Sequence, residues 1–442
     1  MYQIFPNKIV KTMIRTLYNK LLDWKTSPHR KPLILEGARQ VGKTWLLKEF
    51  GKNEYSEVSY INCHNNPDVA NLFADFNMDR VLRSIAAITG VTVRPETTLV
   101  ILDEIQEAKN GLASLKYFNE QCPDIHIAVA GSLLGLAYRR GESFPVGKVD
   151  FMQLYPMTFG EFLSALGKTQ LLDIIATHDW DTQAALQSTL IDLLRQYYFV
   201  GGMPEAVLTY INTNDINAVR DVQRAILMAY DRDFAKHAAD DVQRVRLVWN
   251  SIPSQLAREN KKFVFGAVKK GARAAYFDKA LQWLKDAALT YRVERCKKPE
   301  MPLSFYVEPD SFKIYLLDVG LLGAMAEIPA KQILVNDSIF TDYKGAFTEN
   351  FVLQQLLATR HSNIYYFSKD NSTQEVDFLF QTDDDIIAVE VKAEVNVKSK
   401  SLSTFINVDN AGRGIKAVRF SMLPYKDQGW MKNIPLWSTP FI

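Results

Sequence analysis

The sequence predicts an α/β protein whose N-terminal core is a parallel β-sheet. Three observations support this fold class. Apolar residues 33–35 precede a glycine-containing loop and a helical segment, and apolar residues 99–102 precede two carboxylates. Residues 125–130, apolar except for His126, are followed by Gly-Ser. Uninterrupted apolar strands are typical of parallel sheets that are buried on both faces. In such sheets ligands bind at the carboxyl ends of the strands, so we expect a functional site after these three runs.

The segment after the first strand reads GARQVGKT (residues 37–44) and fits the phosphate-binding pattern G-x-x-x-x-G-K-[ST]. The two glycines allow a tight turn whose N–H groups point at phosphates, the lysine places a charge on the outer phosphates, and the threonine hydroxyl can bind Mg²⁺. A chance glycine-rich loop is the alternative, but the strand before it and the helix after it favour the functional interpretation. The sequence therefore predicts binding of ATP and Mg²⁺. The predicted nucleotide-binding residues are Gly37, Ala38, Arg39, Gln40, Val41, Gly42, Lys43 and Thr44.

Length and composition indicate an ordinary globular protein with several domains. One hydrophobic core rarely serves more than about 250–300 residues, so a chain of 442 residues suggests about three domains. A net charge of +2 gives no overall attraction to nucleic acids or membranes. The three cysteines are far apart, which argues against a disulfide framework or a zinc site. No signal peptide or membrane-length apolar run is evident, so we expect a cytoplasmic location.

The two carboxylates after the second apolar run are candidates for metal binding and catalysis. Asp103 is suited to hold Mg²⁺ together with Thr44, and Glu104 is suited to polarise the water that attacks the γ-phosphate. An apolar run followed by Asp-Glu is common by chance. Its position downstream of a complete phosphate loop makes the functional interpretation more specific.

The third strand supplies a candidate γ-phosphate sensor, Ser132, although this serine could equally cap the next helix. Arg139 and Arg140 follow on a predicted helix. Either arginine could reach the nucleotide of a neighbouring subunit as an arginine finger, and the alternative is a solvated helix face.

Together these motifs resemble a bacterial family of AAA-type P-loop ATPases that carry an uncharacterised C-terminal domain. The motifs are LEGARQVGKT, LVILDEIQ, IAVAGS and LYPMTFGEFL, followed by YYFVGGMPEAV, KIYLLDVGLL, FTENFV, EVDFLF and AVEVK. The resemblance covers the whole chain and implies ATP hydrolysis. Where relatives have Gly-Arg before the LYP segment, this chain has Gly147-Lys148, and lysine lacks the planar fork of arginine.

The predicted domains are an ATPase core at residues 1–165, a helical lid at 166–235, a winged-helix-like domain at 236–330 and a C-terminal domain at 331–442. A helix is predicted over residues 8–24, before the first strand. The lid is interrupted by GGMP (residues 201–204), which we interpret as a structural turn rather than a ligand contact.

The predicted winged-helix-like domain contains the densest basic cluster of the chain. Its members are Lys261, Lys262, Lys269, Lys270, Arg273 and Lys279. Such a cluster beside a recognition helix could contact DNA phosphates, which makes DNA a candidate partner. The alternative is a packing module with a solvated lysine-rich face, and Asp278 and Asp286 dilute the positive charge.

The C-terminal domain resembles the restriction-endonuclease-like α/β fold. Asp377 lies on a predicted strand, Glu390 and Lys392 share one face of the returning strand of a hairpin, and Glu349 lies on a helix upstream. The resemblance implies that Asp377 and Glu390 hold Mg²⁺, that Lys392 activates water and that Glu349 supports the metal. A charged strand face beside a polar turn is the ordinary alternative, and such folds are also reused as binding scaffolds.

Three hypotheses about function remain open at this stage. The protein is an ATPase switch or motor that acts on DNA, an ATP-controlled nuclease, or a nucleotide-gated protein-interaction module. A homo-oligomer is also possible, because an arginine finger would come from a neighbouring subunit.

Overall fold

The computed structural model describes residues 13–64, 66–132, 134–137, 145–238, 241–258, 261–334, 341–360, 363–370, 374–393 and 398–442. Two sheets organise the chain, and helices lie between and around them. Within the described ranges, no helix is long and apolar enough to cross a membrane.

The first sheet contains five strands. They are β1 (Leu33–Glu36), β2 (Glu57–Asn62), β3 (Thr98–Asp103), β4 (His126–Ala130) and β5 (Asp150–Gln153). Their order is β2-β3-β4-β1-β5, and every pair is parallel, as predicted. The carboxyl ends of β1, β3 and β4 therefore meet at one edge of the sheet.

The apolar strands are buried on both faces because helices cover the sheet on each side. The helices of this region are α1 (Leu17–Thr26), α2 (Lys43–Glu54), α3 (Met78–Thr89), α4 (Gly111–Gln121) and α5 (Leu134–Ala137). Along β3, Leu99 and Ile101 join one apolar cluster, while Val100 and Leu102 join the cluster on the other face. Full burial of each such side chain contributes roughly 1.5–3 kcal/mol to folding.

Helix α1 begins at Leu17, later than the predicted residue 8, and residues 8–12 lie outside the described ranges. Tertiary contacts hold the residues just before the helix. The Arg15 guanidinium donates to the carbonyl oxygen of Val41 at 2.9 Å, and the backbone N–H of Thr16 donates to the carboxylate of Glu161 at 2.7 Å. These long-range bonds, which the helical periodicity does not reveal, explain the later helix start.

Six helices form the region predicted as a lid and its approach. They are α6 (Phe159–Ala165), α7 (Thr169–Ala176), α8 (Trp180–Ala185), α9 (Gln187–Val200), α10 (Pro204–Thr213) and α11 (Ile216–His237). Helix α9 ends at Gly201, whose φ of 75° suits glycine. A Cβ on Gly202 would lie 2.2 Å from the carbonyl oxygen of Met157. The GGMP turn is thus a close packing point, which agrees with its structural interpretation.

The second sheet contains eight strands from the remainder of the chain. They are β6 (Thr290–Cys296), β7 (Val307–Leu316), β8 (Tyr365–Ser368), β9 (Glu375–Gln381), β10 (Ile386–Val391), β11 (Lys416–Ser421), β12 (Lys426–Asp427) and β13 (Met431–Pro435). Their order is β12-β13-β11-β10-β9-β8-β6-β7. The predicted β9–β10 hairpin is confirmed by antiparallel pairing. Residue 331, the predicted start of the last domain, lies between strands of this one sheet.

The helices of this second half are α12 (Val242–Leu256), α13 (Phe265–Val268), α14 (Ala274–Asp286), α15 (Val319–Met325), α16 (Ala330–Leu334), α17 (Thr341–Thr359) and α18 (Lys400–Thr404). Helices α12 to α14 precede the β6–β7 hairpin, the order expected of a winged-helix-like unit. The hairpin is not isolated, because β6 also pairs in parallel with β8.

A buried polar network joins the two halves of the molecule. The Asp318 carboxylate accepts from the backbone N–H of Gly202 at 2.6 Å and from the Gln354 side chain at 3.2 Å. The neighbouring Gln355 accepts from the backbone N–H of Phe159 at 2.8 Å. Burial raises the pKa of Asp318, while the Gly202 N–H and other donors oppose this change. Because buried polar groups are costly without partners, this network fixes how α6, α9 and α17 meet.

Candidate functional site

The phosphate loop connects β1 to α2 in a conformation that its glycines allow. Gly37 and Gly42 have φ values of 141° and 95°. A Cβ on Gly37 would lie 2.3 Å from the carbonyl oxygen of Leu154, so no larger residue fits there without a shift. The non-glycine Gln40 also has a positive φ, 67°. Backbone of this kind can turn successive N–H groups toward an anion.

Lys43 begins α2 and is buried beneath the loop. Its ammonium donates to the carbonyl oxygens of Gly37 and Ala38, both at 2.8 Å. Burial lowers the pKa of Lys43 to about 8, although the negative charges of Glu104 and Asp103 oppose this effect. The loop therefore holds a desolvated cation whose interaction with a phosphate would be stronger than at the surface.

Thr44, in the first turn of α2, lies in direct contact with Asp103 at the end of β3. The Thr44 hydroxyl donates to Asp103 Oδ2 at 2.7 Å, and the Tyr60 hydroxyl donates to the same oxygen at 3.2 Å. Mg²⁺ favours hard oxygen ligands and typically takes only one or two from the protein, the others coming from phosphates and water. A hydroxyl beside a single carboxylate fits that pattern.

Glu104 and Ser132, two residues predicted to act on the γ-phosphate, contact each other. The Ser132 hydroxyl donates to Glu104 Oε1 at 3.0 Å, and the Ser132 backbone N–H donates to Oε2 at 3.2 Å. Gln106 donates to the same Oε2 at 2.6 Å. Glu104 itself has a φ of 51°, a conformation that is uncommon outside glycine. Sequence reasoning missed Gln106, which follows Glu104 by two residues in the DEIQ segment.

The loop is also held by residues that are distant in sequence and that the motif does not reveal. Arg39 forms an ion pair with Asp233 on α11, and the Tyr230 hydroxyl donates to the carbonyl oxygen of Arg39 at 2.9 Å. On another side, Arg15 forms a buried ion pair with Glu161 at 3.2 Å while it holds the carbonyl of Val41. The lid helix α11 and the segment before α1 thus contact the phosphate loop directly.

The structure describes only one of the positions considered for an arginine finger. Arg139 and Arg140 lie outside the described residues. Lys148, at the position where relatives have arginine, forms an ion pair with Glu120 of α4 at 2.9 Å. In this structure Lys148 thus has a partner within its own chain.

The four predicted nuclease residues have different side-chain partners in the structure. Glu349 on α17 forms an ion pair with Lys261 and accepts from the Tyr315 hydroxyl at 3.1 Å. Glu390 instead pairs with Lys392 at 3.1 Å. In the part of the chain that the structure describes, no group of three or more His, Cys, Asp or Glu side chains is placed to hold a metal ion.

Asp377 belongs to the buried cluster around Glu349. Its Oδ2 accepts from the backbone N–H of Val391 at 2.7 Å. Burial and the charge of Glu349 raise the pKa of Asp377 to about 7, and Lys313 and Lys261 oppose this rise. Glu390 is not among the groups that shift this pKa most.

The predicted basic cluster of the middle region is only partly available to a partner. Lys261 is engaged with Glu349. Lys269 lies 4.7 Å from the ring centre of Tyr276 and contacts its hydroxyl at 3.3 Å. Lys270, Arg273 and Lys279 are exposed. The surface charge is therefore smaller than the sequence suggests.

Comparisons with known proteins agree with the nucleotide site. The model of an AAA domain family matches residues 29–163, and models of two domains of unknown function, DUF8612 and DUF4143, match residues 191–332 and 344–438. A search of the curated proteins found no match. The chain therefore contains an AAA-type P-loop ATPase domain followed by domains of unknown function.

Two solved structures show a distant likeness. The Thermotoga maritima RuvB Holliday junction branch migration motor is 13% identical, with a TM-score of 0.30 over 64% of this chain and 90% of that chain. The Aeropyrum pernix ORC1 protein in complex with DNA is 12% identical, with a TM-score of 0.25 over 72% of this chain and 92% of that chain.

Proposed function

We propose that this protein hydrolyses ATP with the help of Mg²⁺ and uses hydrolysis as a switch or motor. The observation that carries the proposal is the meeting of the phosphate loop, Asp103, Glu104 and Ser132 at the carboxyl ends of β1, β3 and β4. These groups supply a cation for phosphates, oxygens for a metal and a carboxylate for water. Phosphoryl transfer depends mainly on such positioning and charge stabilisation.

Lys43 and the loop N–H groups bind the outer phosphates, while Thr44 and Asp103 hold Mg²⁺. When bound, Mg²⁺ neutralises charge on the phosphate oxygens. Lys43 must leave its two carbonyl partners to reach a phosphate, and the charge of the phosphate replaces them. The Ser132 hydroxyl must leave Glu104 Oε1 to donate to a γ-phosphate oxygen, while the Ser132 backbone N–H can stay on Oε2.

Glu104 orients and polarises the attacking water. Ser132 and Gln106 fix the carboxylate through three hydrogen bonds. An ionised carboxylate has about four lone-pair sites, so it can still accept from a water molecule. Ser132 and Gln106 therefore act as positioning residues for the proposed base.

Phosphate release from ATP by the wild type and by Glu104→Gln tests this proposal. We expect the variant to bind ATP but to turn over at least ~100-fold more slowly, the scale for loss of a positioned base. Glu107→Gln, an exposed neighbour, is the matched control and should keep wild-type turnover. Wild-type turnover in Glu104→Gln would remove Glu104 from the role.

DNA is the candidate partner of this ATPase, through the exposed basic residues of the predicted winged-helix-like domain at residues 236–330. The competing hypothesis is a nucleotide-gated protein-interaction module, which the near-neutral net charge favours. A DNA affinity that falls as salt rises would support the first hypothesis. Absence of DNA binding at low salt would support the second.

The nuclease alternative requires Glu349, Asp377, Glu390 and Lys392 to share a metal. Its support is the proximity of Glu349 and Asp377, but the ion pair between Glu349 and Lys261 competes with a metal at that position. We therefore expect supercoiled plasmid to stay intact with Mg²⁺ or Mn²⁺, with or without ATP. Cleavage by the wild type that disappears in Asp377→Ala would instead establish a nuclease.

A further inference from the structure

A basic cavity lies in the C-terminal half of the second sheet, away from the nucleotide site. It measures about 740 Å³ and is bordered by β11, β13, the segment between them and the start of α18. Its functional lining consists of Lys398, Lys400, Arg419 and Lys426, with the aromatic rings of Tyr425 and Trp430. The described residues that line it include no aspartate or glutamate. The cavity is therefore a local concentration of positive charge.

This concentration is notable because the whole chain carries a net charge of only +2. Lys398, Lys400 and Lys426 are exposed and form no ion pair with any described residue. Asp427 is next to Lys426 in sequence, but its carboxylate accepts from the backbone N–H of Gly429 at 2.8 Å. The three ammonium groups thus remain available to an anion.

Buried hydrogen bonds fix the wall of the cavity. Arg419 is 4% exposed, and its guanidinium donates to Asn433 Oδ1 at 2.8 Å and to Ser399 Oγ at 3.1 Å. The Asn433 amide in turn donates to the carbonyl oxygens of Leu423 and Pro424 at 3.2 and 2.8 Å. These bonds hold the segment that carries Tyr425 and Lys426. The site is thus preorganised rather than a chance group of surface lysines.

The aromatic residues add an apolar surface to the cavity. Trp430 is half-buried against an apolar cluster of the sheet and also lines the cavity. Tyr425 is anchored by stacking on Trp180 of α8, with ring centres 4.4 Å apart. Cations on two chain segments and aromatic side chains in one cavity match the way single-stranded nucleic acids are bound, by phosphate contacts and base stacking.

We propose that this cavity binds single-stranded nucleic acid, with Lys398, Lys400 and Lys426 near phosphates and a base stacked on Trp430. A lone phosphate would not contact the aromatic surface or the lysines of both chain segments. It would therefore leave most of the cavity volume unfilled. The site is distinct from the basic cluster of the middle region. It also does not depend on the ATPase proposal, because none of its residues belongs to the nucleotide site.

Fluorescence anisotropy with labelled oligothymidylate and oligouridylate tests the proposal at several salt concentrations. Replacing Lys398, Lys400 and Lys426 together by Gln should weaken binding at least ~30-fold at low salt. It should also reduce the slope of log affinity against log salt by roughly 2, about 0.7 per lost phosphate contact. Trp430→Leu should weaken binding about tenfold and leave the slope unchanged, because stacking releases no counterions. The two oligonucleotides show whether DNA or RNA is preferred.

Two controls make the result specific. The triple replacement of Lys52, Lys168 and Lys331 by Gln removes the same charge from exposed positions outside both proposed nucleic-acid surfaces and should leave binding intact. Lys43→Ala should also bind the oligonucleotides normally, so a failure of the ATPase proposal would not be mistaken for a failure here. The proposal is overturned if wild type does not bind at low salt, if the control triple variant loses as much affinity as the cavity variant, or if polyglutamate competes as well as nucleic acid.

Discussion

The nucleotide site of the first sheet and the Glu349 cluster of the second sheet both combine buried carboxylates with buried lysines. Their partners differ. Asp103 and Glu104 are held by neutral donors, including Thr44 and Ser132. In the second cluster, lysines pair directly with Glu349 and Glu375. The first site keeps its carboxylates available to a metal ion, whereas the second neutralises them internally. The partners of a carboxylate thus matter more than its motif.

The strongest test of this comparison is the removal of the Lys43 charge. Lys43→Ala should weaken ATP binding at least ~100-fold, the scale for loss of one partner of a buried charge pair, while the fold persists. Isothermal titration calorimetry with circular dichroism would measure both. Lys52→Ala removes an exposed charge from the same helix and should bind normally. Wild-type affinity in a folded Lys43→Ala protein would contradict the assignment.

The lowered pKa of Lys43 gives a second test of the nucleotide site, through the pH dependence of nucleotide binding. With a pKa of about 8 in the free protein, the ammonium is charged at pH 7 and mostly neutral at pH 9. Bound phosphates favour the charged form, so binding above pH 8 requires uptake of a proton. The dissociation constant of a fluorescent ADP analogue should be flat below pH 8 and about tenfold higher at pH 9 than at pH 7. A dissociation constant that is equal at pH 7 and pH 9 would show that Lys43 does not titrate in this range.

The sequence motifs of the nucleotide site could be predicted because each lies within a short stretch of the chain. The GARQVGKT loop, the apolar strands and the Asp103–Glu104 pair are all recognisable within a few residues. The contact between Arg39 and Asp233 is not, because 194 residues separate the two side chains. The same limitation affected the second cluster. The β9–β10 hairpin was predictable from alternation and a polar turn, but the ion pair between Lys261 and Glu349 spans 88 residues and depends on how α17 packs against the sheet.

The last expected effect concerns Asp377, whose environment distinguishes a buried ionic cluster from a metal site. Its pKa is raised from 3.8 to about 7, so the folded protein holds a proton that the unfolded chain releases between these values. Stability from this group is therefore present at low pH and declines as pH rises toward 7. Asp377→Asn keeps an acceptor for the Val391 N–H but removes the titration. Between pH 5 and pH 8 the variant should gain roughly 1–3 kcal/mol relative to wild type, measured by urea unfolding.

Asp384→Asn, in the exposed hairpin turn, is the matched control and should follow the wild-type pH profile. A parallel decline of wild type and Asp377→Asn would mean that Asp377 stays ionised throughout this pH range. Lys261 and Lys313 would then stabilise its charge more strongly than burial opposes it. The cluster would be a fully ionised network, and the contrast with the nucleotide site would rest on the lysine pairs of Glu349 and Glu375 alone.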